Sequence, residues 1–305
     1  MGTDASAVMV DGPWQHRLVS ANGNRFHVAE CRPPGRDEAP LVVLLHGFPQ
    51  FWWAWRHQLP ALAGAGYRTV AMDLRGYGAS DKPPRGYDTF TLAADVAGVI
   101  RSLGASEAVV VGHGWGAWIA WAMPTLVPRT TRAIAVLGTA HPLRTFTAIT
   151  SPRQLRTLQH VLAFQTPVRP ERALLGGELV PELLERWAGP DWPSAEEAQR
   201  YQEAIEIPSV AHSSLEYYRW ALRSRVRTDG RRFVDAVRHT VKVPVLQVHG
   251  ELDGQVPASL ARGSSRWVRG DYTWRLVEGV GHFLAEEAPD ETTAALVEWL
   301  RGLDD

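Results

Sequence analysis

Six short apolar runs along the chain predict buried strands. They are 41–45 (LVVLL), 67–72 (YRTVAM), 108–111 (AVVV), 133–137 (AIAVL), 243–248 (VPVLQV) and 274–277 (WRLV). Short apolar runs, several ending in glycine-containing turns, are typical of parallel strands that are covered on both faces. Between the runs, apolar residues at helical spacing predict helices over 91–103 and 292–300. This alternation predicts an α/β fold with a mostly parallel, twisted sheet and helices on both faces.

The beginning of the chain and its middle depart from this alternation. Residues 14–29 have the looser polar and apolar alternation of antiparallel edge strands. Residues 142–237 are rich in arginine and lack strand-like runs. Short amphipathic patterns predict helices there over 152–163, 170–175, 181–187, 195–204 and 214–224.

The helical segment predicts the domain organisation. Ligands of open α/β sheets bind at the C-terminal edge of the strands, so a helical insertion over that edge would form a lid. We therefore expect a core domain made of residues 1–141 and 238–305, and an inserted helical cap made of residues 142–237.

Composition narrows the function classes. The chain has 305 residues, of which 45% are hydrophobic and 21% are charged, as expected of a soluble globular protein. The net charge of −1 provides no field that would attract nucleic acid or an anionic membrane. Cys31 is the single cysteine, which excludes an internal disulfide and is typical of a reducing compartment. With neither a signal-peptide pattern nor a long apolar run, we expect a cytoplasmic protein, either a monomer or a homodimer.

A glycine-rich stretch follows the third apolar run and opens a helical pattern. Residues 112–116 read GHGWG and match Gly-x-nucleophile-x-Gly, the pattern of a nucleophile elbow. An elbow holds a reactive side chain on a strained turn between a strand and a helix. The position that should carry serine, cysteine or aspartate is Gly114, which has no side chain. The pattern predicts an elbow without its nucleophile.

An acid and a base follow the elbow in chain order, each directly after a predicted strand. Asp253 is the candidate acid and His282 the candidate base. A carboxylate hydrogen-bonded to a histidine fixes the tautomer of the ring and stabilises the imidazolium, as a general base requires.

An oxyanion-binding element should follow the first strongly apolar strand, and residues 46–49 (HGFP) stand there. The backbone N–H groups of Phe48 and Trp115 are the expected oxyanion donors. Elbow, acid, base and oxyanion element in this order predict the α/β-hydrolase fold.

Three stretches closely resemble the epoxide hydrolase branch of the α/β-hydrolases. They are residues 46–83, which begin HGFPQFWWAWRHQ and end DLRGYGASDKP, residues 109–121 (VVVGHGWGAWIAW) and residues 281–289 (GHFLAEEAP). The resemblance covers residues 15–141 and 238–304 well and the cap more loosely. It implies that an aspartate at the elbow attacks an epoxide carbon to form an alkyl-enzyme ester. It also implies that a histidine with its acid activates water to hydrolyse the ester, while two cap tyrosines donate hydrogen bonds to the epoxide oxygen.

Two positions depart from that family pattern. The acid and the base match Asp253 and His282, but the nucleophile falls on Gly114. The second cap tyrosine matches Tyr218, with Tyr217 as the alternate. Ala163 stands at the position of the first cap tyrosine, just before an FQTP stretch. The attacking group and one of the two donors are missing.

The expected site has an aromatic wall and no cofactor. Besides Tyr218 and Tyr217, we expect Trp52, Ala163, Phe164, His113 and Phe283 to contact a small apolar molecule. No CxxC, HExxH or phosphate-binding loop occurs, so neither a metal nor a nucleotide is expected. The arginines between 219 and 232 are expected to form a solvated face with buried stems, and an anionic ligand or partner is the alternative.

Three hypotheses about function remain open. Losing a covalent nucleophile typically costs roughly 10⁴–10⁶ in rate, so ester-forming epoxide hydrolysis is not expected. In the first hypothesis, His282 and Asp253 deprotonate water or an acidic substrate in the space beside Gly114. In the second, the protein is an inactive ligand-binding pseudoenzyme. In the third, an aspartate at position 114 has been replaced in an epoxide hydrolase.

Overall fold

An eight-stranded sheet forms the centre of the protein. The structure, a computed structural model, describes residues 3–36, 38–148 and 159–304, without the side chains of 146–148. The strands are β1 (Gln15–Ala21), β2 (Asn24–Cys31), β3 (Leu41–Leu45), β4 (Arg68–Met72), β5 (Ala108–His113), β6 (Thr131–Leu137), β7 (Val245–Gly250) and β8 (Tyr272–Val277). All six predicted strands are present, with shifts of up to two residues at their ends, but β8 lies at the edge of the sheet and is only partly buried, in contrast to the expectation.

The strand order is β1-β2-β4-β3-β5-β6-β7-β8. β2 is antiparallel to β1 and β4, and all other neighbouring pairs are parallel, so the prediction of a mostly parallel α/β sheet is confirmed. Leu45 at the end of β3 pairs with Met72 of β4 and Gly112 of β5. The carboxyl ends of the three central strands therefore meet at one edge, where the loops that follow them are brought together.

Thirteen α-helices lie within the described residues. They are α1 (Gln58–Gly64), α2 (Thr89–Ser102), α3 (Trp115–Leu126), α4 (Pro142–Ala148), α5 (Gln159–Ala163), α6 (Arg169–Leu175), α7 (Leu179–Trp187), α8 (Ala195–Glu206), α9 (Val210–Arg223), α10 (Thr228–Val237), α11 (Ala258–Arg262), α12 (Leu284–Glu287) and α13 (Pro289–Arg301). The helix predicted over 152–163 is present as α5, and its part before residue 159 lies outside the described residues. Five of these helices were not predicted from the sequence, namely α4 and α10 in the insertion and α1, α11 and α12 in the rest of the chain.

Helices α4 to α10 form the insertion between β6 and β7, and α9 and α10 anchor it to the core. Phe233 of α10 stacks on Trp118 of α3 with 5.8 Å between ring centroids, and Trp220 of α9 meets Phe233 edge-on at 5.5 Å. Trp118, Trp220 and Phe233 are buried together with aliphatic side chains of α4 and α10. Burial of such aromatic area is worth several kcal/mol, so the insertion is packed on the core rather than loosely tethered to it.

Candidate active site

The turn between β5 and α3 has the geometry of a nucleophile elbow. Gly114 has φ 53° and ψ −116°, a conformation that L side chains rarely adopt. A Cβ atom on Gly112 would lie 2.3 Å from the carbonyl carbon of Gly116, and one on Gly116 would lie 2.1 Å from the carbonyl oxygen of Leu45. Both flanking glycines are required because the turn packs directly against itself and against β3.

The side-chain position at residue 114 faces the other predicted catalytic groups. A Cβ atom built there would lie 3.1 Å from the Cα of Gly47, 3.8 Å from the Nε2 atom of His282 and 4.0 Å from the amide nitrogen of Phe48. The fold therefore brings the elbow, the histidine and the oxyanion loop to one point, at the carboxyl ends of the strands.

His282 and Asp253 form a buried hydrogen-bonded pair. Nδ1 of His282 lies 2.8 Å from Oδ2 of Asp253, and both side chains are at most 1% exposed. Oδ1 of Asp253 accepts hydrogen bonds from the amides of Gln255 and Val256 at 2.8 and 2.7 Å. A carboxylate held in this way fixes the Nδ1–H tautomer of the ring and leaves Nε2 as an acceptor. Within the described residues, Nε2 of His282 makes no hydrogen bond, and it faces the position beside Gly114.

Two backbone N–H groups border the same space. Trp115 is the first residue of α3, so its N–H has no partner within the helix. The N–H of Phe48, in the loop after β3, also lacks an acceptor within the described part of the chain. The amino end of α3 adds the positive end of a helix dipole, which stabilises negative charge near Gly114. This arrangement suits an oxyanion.

Tyr218 of α9, in the inserted helical segment, packs on the two residues whose N–H groups border the site. Its ring lies edge-on to Phe48, Trp115 and Phe164, with centroids 5.0–5.4 Å away. Burial raises the pKa of Tyr218 above its usual range, and polar contacts with the side chains of Trp115 and Gln255 oppose that shift. The hydroxyl is therefore neutral, and its proton is available for a hydrogen bond.

Comparison with known protein families agrees with this geometry. Residues 40–289 match the family model described as alpha/beta hydrolase fold. The chain belongs to the α/β-hydrolase fold family.

Relatives within the α/β-hydrolase fold family include named epoxide hydrolases. Epoxide hydrolase A of Mycobacterium tuberculosis is 34% identical, and the match covers 94% of this chain and 98% of that protein. The superfamily protein YfhM of Bacillus subtilis is 31% identical over 93% of this chain and 97% of its own length. The solved structure of an epoxide hydrolase from an endophytic Streptomyces has a TM-score of 0.82 and 29% identity, covering 96% of this chain and 97% of that one. The predicted α/β-hydrolase fold and the resemblance to epoxide hydrolases are confirmed.

Tyr217, the alternate tyrosine of the family pattern, has a structural contact. Its hydroxyl donates a 2.7 Å hydrogen bond to the carbonyl oxygen of Arg75, and its ring lies against Tyr77, Tyr87 and Trp115. Of the two neighbouring tyrosines, Tyr218 is the one at the site. Consecutive residues of a helix point in different directions, so both cannot face the elbow.

Ala163 does not line the site. It is the last residue of α5 and is exposed, whereas His160 and Phe164, four residues apart, are buried on the inner side of this segment. The side chain of Ala163 is therefore exposed at the end of α5 and is not buried with these two rings. Instead, His160 contacts Tyr218 and Trp187, with ring centroids 5.6 and 5.0 Å away. The expectation that Ala163 contacts a ligand is not supported by this placement.

Trp52 also lies away from the elbow. It is fully buried, and its indole N–H donates to the carbonyl oxygen of Val8 at 2.8 Å. Its ring packs against Trp14, His16 and His27 on the side of the antiparallel strands β1 and β2. The aromatic run after the HGFP loop turns back into the core, so Trp52 supports the fold rather than the pocket.

His113 and Phe283 lie beside His282. Nε2 of His113 lies 2.8 Å from the carbonyl oxygen of His282, and Nδ1 lies 2.8 Å from Oε1 of Gln50. The ring of Phe283 lies 5.2 Å from that of His282 and 5.7 Å from that of His113. Both residues hold His282 in position, a role that the sequence analysis did not assign to them.

Several neighbours of the site were not predicted from the sequence. The carbonyl oxygen of Trp187, at the end of α7, accepts a 2.9 Å hydrogen bond from the amide of His282. Gln255 contacts both Asp253 and Tyr218, and its place two residues after the acid was the sequence signal that could have identified it.

Arg219 corrects the expectation of a solvated arginine face, since it is 4% exposed and paired with Glu171 and Glu216.

Among residues 3–36, 38–148 and 159–304, no group of three or more histidine, cysteine, aspartate or glutamate side chains is placed to hold a metal ion. Within the same ranges, no helix has the length and apolar character needed to span a bilayer.

Proposed function

We propose that this protein is an epoxide hydrolase-like enzyme in which His282, oriented by Asp253, activates water or removes an acidic proton beside Gly114. The substrate is a small apolar molecule enclosed under the cap, and no covalent ester with the enzyme is formed. The observation that carries the proposal is the Nε2 atom of His282, which has no hydrogen-bond partner within the described residues. It lies 3.8 Å from the side-chain position of residue 114.

The surroundings support base chemistry at this point. Asp253 stabilises the imidazolium that forms when His282 takes a proton. The oxyanion that develops accepts hydrogen bonds from the N–H groups of Phe48 and Trp115 or from the hydroxyl of Tyr218. Such fixed donors stabilise developing charge without reorganisation during the reaction. A water molecule beside Gly114 would occupy the space that a carboxylate fills in the family pattern.

An apolar substrate is supported by the walls of the site. Phe48, Phe164, Trp115, Trp187 and Tyr218 meet there with centroid separations of 5.0–6.3 Å along the contacts between neighbours. Aromatic walls with a few convergent polar groups are typical of pockets for small organic ligands. The named epoxide hydrolases among the relatives make an epoxide the first substrate class to test.

The domain division and location are part of the same proposal. Residues 142–237 act as a cap over the core formed by 1–141 and 238–305, and Tyr218 and Trp187 connect the cap to the catalytic residues. The buried thiol of Cys31, which lies 3.1 Å from the carbonyl oxygen of Pro13, suits a reducing cytoplasm.

Turnover of a panel of epoxides and aryl esters tests the proposal. We expect the native chain to have an activity that His282→Ala lowers at least 100-fold, because removing a general base typically costs 10²–10⁴ in rate. Gly114→Asp should gain epoxide hydrolysis through a covalent ester, which mass spectrometry of the quenched enzyme would detect. Gly114→Ala is the matched control, since it adds the same Cβ atom without a nucleophile.

If the native chain and His282→Ala are equally inert while Gly114→Asp hydrolyses epoxides, the native protein is a ligand-binding pseudoenzyme with an intact scaffold. Calorimetry would then measure whether the native protein binds the same epoxides, which would define the role of the protein.

A further inference from the structure

A buried polar chain leads from the cap to the backbone of the catalytic histidine. Glu286 of α12 is buried, and its Oε2 atom accepts hydrogen bonds from Tyr201 of α8 at 2.6 Å and from the amide of Gln50 at 2.5 Å. Its other oxygen is paired with Arg56, which also reaches Glu197 of α8. The far end of the Gln50 amide contacts Nδ1 of His113 at 2.8 Å.

The hydrogen-bond donors and acceptors of this group of residues cannot all be paired if Gln50 points its oxygen at His113. In that orientation, Nδ1 of His113 faces the amide oxygen, and Nε2 faces the carbonyl oxygen of His282 at 2.8 Å. A neutral imidazole has one N–H and one acceptor nitrogen, so one of these contacts would place a lone pair against an oxygen. An imidazolium could satisfy both, but it would place a positive charge on a ring that is 3% exposed.

One arrangement satisfies each of these contacts with neutral groups. If the Gln50 amide is turned, its NH₂ group donates to Nδ1 of His113, and Nε2–H of His113 donates to the carbonyl oxygen of His282. The amide oxygen of Gln50 then faces Glu286 and requires a proton on that carboxyl. The two orientations of an amide differ only in the exchange of oxygen and nitrogen, so they are chosen by the hydrogen-bond network.

We propose that Glu286 is a protonated positioning residue which, through the Gln50 amide, fixes His113 as the Nε2–H tautomer and thereby holds the main chain of His282. When Glu286 loses its proton to solvent, the amide turns its NH₂ group toward the carboxylate. Its oxygen then takes the Nδ1–H of His113, and the hydrogen bond to His282 is lost. The hydrogen-bonded chain from Glu286 to His113 is thus a pH-sensitive support for the base. This inference rests on the proposed function only for the catalytic role of His282.

Burial favours the neutral form of both groups, although the charge of Arg56 opposes it at Glu286. Burial raises the pKa of Glu286 to about 7, and the repulsion from Glu197 adds to it, whereas Arg56 and the hydrogen bond from Tyr201 lower it. Burial lowers the pKa of His113 well below its ordinary value. His282, His46 and His249 add repulsion, and the contact with the His282 carbonyl opposes the shift. The neutral imidazole and the protonated carboxyl are the favoured partners below neutral pH.

Nitrogen-15 NMR of protein labelled at histidine tests the proposal without any need for turnover. Protonated and unprotonated imidazole nitrogens resonate far apart, so the tautomer can be assigned directly, and loss of a signal pair in His113→Gln identifies the residue. We expect His113 to carry its proton on Nε2 below pH 6 and to move it to Nδ1 as the pH rises, with a midpoint near the Glu286 pKa of about 7.

Two variants sharpen the test. Glu286→Gln replaces the carboxyl with an amide that donates to Gln50 at every pH, so His113 should stay in the Nε2–H form and lose the transition. Glu298→Gln, which removes an exposed carboxylate paired with Arg275, is the control and should keep the transition.

Three outcomes would overturn the proposal: protonation of both His113 nitrogens, absence of the transition in the native protein, or an unchanged transition in Glu286→Gln. The native titration alone decides the matter if the variant does not fold. An inert enzyme with the expected tautomer change would refute the proposed function and leave this inference intact.

Discussion

At the scale of single residues, the elbow depends on glycines for two different physical reasons. Gly114 has a positive φ that penalises any side chain. Gly112 has no such strain, but a Cβ atom on it would overlap the backbone of Gly116. Backbone strain thus disfavours a side chain at Gly114, and steric overlap disfavours one at Gly112. Substitutions at the two positions should therefore lower the free energy of unfolding by different amounts.

Gly112→Ala should destabilise the protein by about 3 kcal/mol, because the new methyl group cannot avoid the backbone of the helix that follows. Gly104→Ala is the matched control. It has φ +87° with nothing within 4 Å of the added Cβ, so backbone strain alone should cost about 1 kcal/mol. Urea unfolding of the two variants measures the difference, and equal costs would show that the elbow can relax.

At the scale of elements, the position of α9 depends on Arg219. Its guanidinium donates to the carbonyl oxygens of Phe164 and Thr166, both at 3.1 Å, and pairs with Glu171 of α6. One buried side chain thus connects α9, α6 and the segment after α5, and it holds Phe164 against Tyr218. Burial of a paired charge makes the loss of one partner costly.

Arg219→Met should lower the unfolding free energy by about 3 kcal/mol and weaken binding of an apolar ligand under the cap. Arg223→Met, one turn later on the same helix, removes an exposed guanidinium bonded to Gln165 and should cost less than about 1 kcal/mol. Chemical denaturation and fluorescence titration would measure both effects. Similar losses in the two variants would contradict the central role of Arg219.

At the scale of the whole molecule, the buried carboxyl of Glu286 links stability to pH. Its pKa is raised from 4.5 to about 7 by burial, so the folded state binds this proton more tightly than the unfolded chain does. The stability that the protonated group provides is fully present below about pH 4.5, and it decreases as the pH rises to about 7.

Between pH 5 and pH 8, the stability of the native protein should therefore fall by about 3 kcal/mol relative to that of Glu286→Gln, which has no proton to lose. Measuring the unfolding free energy of both proteins across this range checks the prediction, because contributions from the other titrating groups cancel in the difference. A constant difference would mean that Glu286 is ionised throughout.

The sequence by itself determined the sheet, the order of the elements and the glycine turn between β5 and α3. Short apolar runs identify buried strands, and the spacing of Gly112, Gly114 and Gly116 identifies the turn, because these signals are local along the chain. Asp253 and His282 were also inferred correctly as neighbours, since each follows a strand whose carboxyl end lies at the same sheet edge.

Only the tertiary structure decided which side chains surround those groups. Ala163 and Trp52 were expected in the pocket wall, yet the first is exposed and the second is buried in the core beside β1 and β2. Glu286 and His113 are 173 positions apart and are joined through Gln50. Local sequence patterns do not specify such contacts, because they depend on how distant elements pack, and packing is a property of the whole fold.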